Sequence, residues 1–489
     1  MADARAVAAI DCGTTRIKLA VFVAGERPSF VALADAANVV ETGEGGAARC
    51  RWSAIWRAVE GLLERLGAWC AAQGVRELDL GLSGQVSSLL RWDAVRDDAV
   101  DEAFPIWMDS TCRDALPAAQ RLLGDGGATR LLGTALPPMT SWLAVKLMHA
   151  RAQGGIGAVH ALQVADAVFR RLTGRSVSHP TAQISLVDQV SGAYAGPVLE
   201  ACGVDAQRLP RLDARGGYDL RDECRHRFAL PATRVFAGLQ DTNATMLGLS
   251  PEDGDGLWLT GTSEILGVHE RTARAIAPER LVRARLGKGW AIYGSSLSGG
   301  ATLAWLMEEV LRDPARLPAL TAAAARIAPG ADGLICLPYL AGERAPLWEP
   351  RWSGALIGLR AHHGDAHLLR AVLEGVALAR RQVADALGCA LPRRFLIAGG
   401  GAANALWNRI RAAVMDRPLA HDAANDLALV GVVRHVLACT GRDDAALGAC
   451  LPARAPIAPD AYLVRAYAEL APRFAAAQRA LAPDGAWLP

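Results

Sequence analysis

Residues 8–22, AAIDCGTTRIKLAVF, and residues 255–268, DGLWLTGTSEILGV, are two versions of one local design. In each, an apolar run of strand length meets a glycine flanked by small hydroxyl residues and then resumes. Such a pattern reads as an antiparallel hairpin, and Gly13 is expected to supply a positive φ in its turn. Aligned on glycine, Asp11-Cys12-Gly13-Thr14-Thr15 matches Leu259-Thr260-Gly261-Thr262-Ser263. The two copies lie about half of the 489-residue chain apart. A single hydrophobic core stops growing well below that length, so a duplicated α/β domain is expected. The stretch SPEDGDG (250–256), rich in Pro, Asp and Gly, marks the boundary, giving domains 1–249 and 250–489.

The intervening pattern is that of an α/β fold with sheets covered on both faces. SAIWRAVEGLLERLGAWC (53–70) carries apolar residues at helical spacing behind a serine N-cap. LDLGLSG (78–84) and RVFAGLQD (234–241) read as strands entering polar loops. In the second half LICLPYL (334–340) reads as a strand, and a helix is expected over 366–387. The strand RFLIAGGG (394–401) follows, then a helix from about Asn404 and a last helix over 461–482.

Composition removes several function classes. The 52 basic and 50 acidic residues nearly cancel and form no long run of one sign. That argues against nucleic acid or an anionic membrane as the partner. No apolar run approaches the ~20 residues that span a bilayer, and no signal-peptide pattern opens the chain. The ten cysteines stand singly, without Cys-x-x-Cys or zinc spacing. A cytoplasmic enzyme acting on a small molecule is expected, and a homodimer stays open.

Hairpin turns that expose backbone N–H groups and small hydroxyls cradle phosphate oxygens. An acid at the strand end suits hydrated Mg²⁺, which takes one or two carboxylates plus phosphates. Asp11 fits that metal role, with Thr14, Thr15, Thr262 and Ser263 as donors. A third glycine cluster, LIAGGGAANALW (396–407), leaves a strand and enters a helix, where bare backbone suits a nucleotide. It falls short of the dinucleotide fingerprint, because Asn404 stands where the third glycine belongs. No GxxxxGK[ST] occurs either.

These residues resemble the FGGY family of carbohydrate kinases, within the actin-, Hsp70- and hexokinase-like superfamily. The likeness runs in order through IDCGTTRIK (10–18), GLSGQVSSLLRWD (81–93), IWMDS (106–110), FRRLTG (169–174) and VFAGLQDTNATMLG (235–248). It continues through LTGTSE (259–264), LPYLAGERAPLWEP (337–350), GALIGL (354–359), LRAVLEGVA (369–377) and IAGGGAANALWNRI (397–410). The resemblance implies two ribonuclease-H-like (actin/hexokinase-type) domains around a catalytic cleft that closes on ATP and sugar. It implies Asp11 as the Mg²⁺-ATP acid, and Gly13, Thr14, Thr15 and Lys18 as the first phosphate loop. Gly261 and Thr262 become the second loop, and Gly400, Gly401 and Asn404 nucleotide contacts. Asp241 matches the catalytic base. Ser83, Gln85, Val86, Ser87, Trp107 and Asp109 fall in segments that line the sugar pocket.

Within the family, GLSGQ and IWMDS look most like the xylulokinase group, which implies phosphorylation of D-xylulose to xylulose 5-phosphate. Two positions depart from that group. Val86-Ser87-Ser88 stands where Met-His-Gly is usual, and Asp241-Thr242 where Asp-Asn is common. Another ketose or a polyol therefore stays open, as does a non-kinase ATPase of the superfamily. Plainer roles are open too. Asp241 could cap its helix, Trp107 and Asp109 could form an ordinary turn, and Glu343-Arg344 reads as a structural ion pair. Glu374 reads as an internally paired acid, and His362-His363 as a solvated loop.

Overall fold

Alternating burial along the first strand explains how its sheet is covered. In Arg5–Cys12, Ala6, Ala8 and Ile10 join one apolar cluster, while Val7 and Ala9 join another. Successive side chains point to opposite faces of a strand, so a chain apolar at both parities is covered on both. One face takes the helices Trp52–Gln73 and Val164–Thr173. The other takes Asp241–Gly248 and Leu427–Cys439. The computed structural model describes residues 5–273, 280–423 and 426–482.

Two compact units result. The first holds the residues up to Ser250, then Ala284–Gly287 and Asp426–Leu451. A single boundary near residue 250 leaves out that last return of the chain. Its main sheet runs in the order Gly217–Asp219, Ala232–Gln240, Glu77–Gly84, Arg5–Cys12, Arg16–Val23 and Ser29–Ala37. The strands Ala232–Gln240, Glu77–Gly84 and Arg5–Cys12 are parallel, and their carboxyl ends lie together.

The second unit repeats the arrangement. Gly289–Ser296, Glu264–Glu270, Gly256–Thr260, Phe395–Gly399, Leu419–His421 and Ala455–Ile457 lie side by side in that order. Gly256–Thr260 pairs antiparallel with Glu264–Glu270 and parallel with Phe395–Gly399. In the first unit Arg5–Cys12 pairs in the same two ways, with Arg16–Val23 and Glu77–Gly84. Each unit thus carries a hairpin with a three-residue Gly-Thr turn beside a parallel strand.

Three local expectations change. Ser53 lies inside the Trp52–Gln73 helix, whose N-cap is Arg51, and its hydroxyl binds Glu102 instead. The strand read over 334–340 is short, Ile335–Leu337, because Pro338 supplies no N–H to a ladder. Gly13 is not in the left-handed region. Glycine is needed there for space, since a Cβ would sit 2.9 Å from the Arg16 carbonyl oxygen.

Candidate functional site

In the first unit the chemistry gathers where the three parallel strands end. Asp11 and Ser83 face each other in register, and the Ser83 hydroxyl donates to Asp11 Oδ1 at 2.7 Å. Ser83, expected as a sugar contact, thereby orients this acid. Asp11 Oδ2 carries no hydrogen bond among the described residues. Burial raises the Asp11 carboxyl above its ordinary value, against the opposing pull of Ser83 and Lys18. A cation would reverse that penalty, so the donor set fits a hydrated Mg²⁺. Lys18 is held by Asp426, at the start of the Leu427–Cys439 helix. Nothing in the sequence pairs residues so far apart.

The turn after Asp11 is clamped by Asn38, which sequence reasoning missed. Its side-chain amide donates to the Gly13 carbonyl at 3.0 Å, and its backbone N–H to the Thr15 carbonyl at 2.8 Å. The Trp107 indole N–H donates to Thr14 Oγ1 at 3.0 Å, and Thr14 in turn faces Gln85 Oε1 at 3.4 Å. Trp107 is 38% exposed, so its ring keeps an open face. Thr15 is exposed and Gln85 buried.

Asp241 follows the strand Ala232–Gln240 and is the first residue of the helix Asp241–Gly248. Its Oδ1 accepts from the N–H and hydroxyl of its neighbour Thr242, at 2.6 and 3.3 Å. Beyond Thr242 it accepts from no other helical N–H, and the N-cap position itself is Gln240. Oδ2 is free of hydrogen bonds among the described residues. Burial first, and then the charge of Asp11, push the Asp241 carboxyl up to about 7. Beside it, the buried Gln240 Oε1 also lacks a hydrogen-bond partner. The free Asp241 oxygen at this strand end suits a hydroxylated ligand.

The remaining pocket residues divide. Val86 is half-buried. Ser87 adopts φ 63°, and its backbone N–H donates to Gln163 Oε1 at 2.5 Å. Asp109 is buried, and its carboxylate accepts from the Ala48 N–H, the Thr111 N–H and the Thr111 hydroxyl. These bonds brace its turn against the strand Ala47–Arg51.

In the second unit, strand pairing sets Thr260 opposite Gly399 and so brings two glycine turns together. Gly261 and Thr262 are exposed, and their carbonyls accept from Gly300 and Ala301, which open a helix. Gly399 has φ 98°, and a Cβ there would lie 1.9 Å from the Thr260 carbonyl oxygen. A Cβ on Gly400 would meet nothing within 4 Å, leaving open backbone, whereas one on Gly401 would crowd Thr260. The Asn404 side chain caps the helix Ala405–Met415 by accepting from the Trp407 N–H. Behind both turns, Arg411 donates to the Gly401 carbonyl at 2.9 Å and to Glu264 Oε1 at 2.5 Å. Its guanidinium lies 3.9 Å from the Trp407 ring centroid.

Glu343 does not pair with Arg344. Its partner is Arg380 at 3.1 Å, with Ser296 and Ser298 completing a buried network. Glu374 pairs with Arg370 at 2.6 Å and accepts from the Tyr467 hydroxyl. Both acids are structural.

Residues 257–438 match the model of the C-terminal domain of the FGGY family of carbohydrate kinases. The chain is 28% identical to a xylulose kinase of Klebsiella pneumoniae, over 84% of this chain and 86% of that protein. It is 28% identical to a glycerol kinase of Myxococcus xanthus, over 72% and 76%. The structure of xylulose kinase from Rhodospirillum rubrum superposes with a TM-score of 0.86 at 25% identity, covering 98% of this chain and 99% of that one. Residues 257–438 thus resemble the C-terminal domain of FGGY carbohydrate kinases, and the chain is similar to carbohydrate kinases over most of its length. It has the two-domain α/β fold of sugar kinases. No helix among the described residues is long and apolar enough to cross a membrane.

Proposed function

We propose that this kinase transfers the γ-phosphoryl group of ATP to a hydroxyl of a ketopentose, with D-xylulose as substrate and xylulose 5-phosphate as product. The observation that carries the reading is Asp241, an acid with a free oxygen beside an unpartnered glutamine carbonyl at the end of a parallel strand. Phosphoryl transfer depends on positioning and charge neutralisation more than on covalent help from the protein. The sugar oxygen attacks the γ-phosphorus, the bond to the ADP oxygen breaks, and the hydroxyl proton passes to Asp241 Oδ2. A base near neutrality is matched to that task. Asp11 and Ser83 would hold Mg²⁺ with its waters, and the metal would neutralise phosphate charge. Gly261, Thr262 and the open backbone at Gly400 would receive the nucleotide.

The xylulose kinases among its relatives support the ketopentose, while the glycerol kinase keeps a polyol as the second reading. A coupled ADP-release assay over ketoses, aldoses, aldonates and polyols tests it. D-xylulose should give the highest kcat/KM; a higher value for glycerol or gluconate overturns the assignment. ATP hydrolysis that no sugar or polyol stimulates would favour the non-kinase alternative.

A further inference from the structure

A cavity of about 300 Å³ in the first unit lies between the strands Ala47–Arg51 and Ala103–Pro105 and the helix Leu143–Ala152. Neither Asp11 nor Asp241 lines it. Its floor includes Lys146 and Asp109, 3% and 1% exposed, and its rim includes Arg49, Arg91 and His149. The charges do not cancel. Arg91 is neutralised by two hydrogen bonds to Asp101, and His149 faces Asp114 at 2.6 Å. Asp109 accepts from the Ala48 N–H of the adjoining strand and twice from Thr111, and its charge favours the Lys146 ammonium without forming an ion pair with it.

Lys146 is different. Its ammonium donates to the Thr140 carbonyl at 2.6 Å and makes no ion pair with any described residue. Burial holds it below its ordinary value. Arg49 alternates outward between the buried Ala48 and Cys50 and likewise has no acidic partner among the described residues. A buried ammonium with one neutral acceptor is costly, and a counter-ion in the adjoining space would offset that cost. The volume sits at the small end of the range for ligand sites.

We infer that this cavity binds a compact oxyanion, the phosphoryl or carboxylate group of a small metabolite, with Lys146 as its buried charge partner and Arg49 at its mouth. The inference goes beyond the kinase reading and does not depend on the sugar. It is tested by titration calorimetry on the full chain with inorganic phosphate and, separately, acetate. Each is run on the parent, Lys146→Gln and Arg49→Gln. At least one probe should bind the parent, and its affinity should fall about tenfold or more in Lys146→Gln, the worth of one charge-assisted hydrogen bond. Tighter phosphate binding would identify a phosphoryl ligand, and tighter acetate binding a carboxylate. Should Lys146→Gln unfold, the rim variant still weakens binding while keeping the fold. No binding of either probe to the parent, or equal affinity in the parent and the folded variants, overturns the site.

Discussion

Glu264 and Arg411 form an ion pair 2.5 Å long in which neither side chain is exposed to water. Glu264 opens the strand after the second Gly-Thr turn, and Arg411 also holds the Gly401 carbonyl of the neighbouring turn. One guanidinium therefore fixes the spacing of both turns. Arg411→Met leaves a carboxylate buried without its charge partner, which typically costs about 3–5 kcal/mol. The double variant Glu264→Gln/Arg411→Met should recover much of that stability. Both should raise KM for ATP more than KM for the sugar. Chemical denaturation and initial-rate kinetics check this; an unchanged ATP KM in the folded double variant would detach the pair from nucleotide binding.

Asp241→Asn should lower kcat by about 10²–10⁴-fold, the usual contribution of a positioned base. The fold should not suffer. Burial and Asp11 favour the neutral acid, so the ionised carboxylate opposes folding as pH rises from the ordinary aspartate range to about 7. Asp241→Asn should therefore melt higher than the parent at pH 8 and level with it near pH 4. A lower melting temperature at both pH values would make Asp241 a structural residue.

The rate should follow the same ionisation. kcat/KM for the sugar should rise with pH through about 7 as Asp241 loses its proton. Asp11 contributes to the raised value, so Asp11→Asn should shift the Asp241 titration downward. Carboxyl-carbon NMR reads that shift without needing turnover. An Asp241 titration unmoved by Asp11→Asn would show that the two charges do not interact.

Ser87 and Thr242 are where sugar choice should be adjustable. Ser87 holds a left-handed backbone conformation that histidine tolerates better than most residues. Thr242 donates its hydroxyl to Asp241 Oδ1. Ser87→His and Thr242→Asn together should change the kcat/KM ratio between D-xylulose and its nearest rival by about tenfold or more. An unaltered ranking would place specificity elsewhere.

The glycines at 399 and 400 should behave oppositely. Gly399→Ala sets a Cβ 1.9 Å from a carbonyl oxygen at φ 98° and should cost at least ~1–3 kcal/mol. Gly400→Ala meets no atom and should leave the melting temperature nearly unchanged while raising KM for ATP. Equal melting temperatures for the two variants would show that the turn relaxes freely.

The two hairpins were legible because local alternation and a short polar turn suffice to define them. The Asp241 strand end was legible for the same reason. Long-range side-chain partners were not. Asp426 holds Lys18 and Arg380 holds Glu343, yet neither pairing leaves a trace in local periodicity. Gly13 shows a subtler limit: the glycine was correctly located, but its cause is crowding by Arg16, which a turn rule based on φ does not contain. Asp109 kept its place in its segment and yielded its carboxylate to Ala48 and Thr111, a choice made by packing alone.

The return of Asp426–Leu451 to the first unit has a biosynthetic cost. Leu429, Val430, Val432, Val433 and Val436 cover Val7, Ala9, Phe22 and Phe236 on one face of the first sheet. A ribosome adding about 5–20 residues per second needs on the order of ten to thirty seconds between Ser250 and that helix. Throughout that interval this side of the nascent sheet has only the short helix Asp241–Gly248 over it. Chaperone occupancy of the emerging chain should peak in this window, and a fragment ending at Ser250 is a poor candidate for soluble expression.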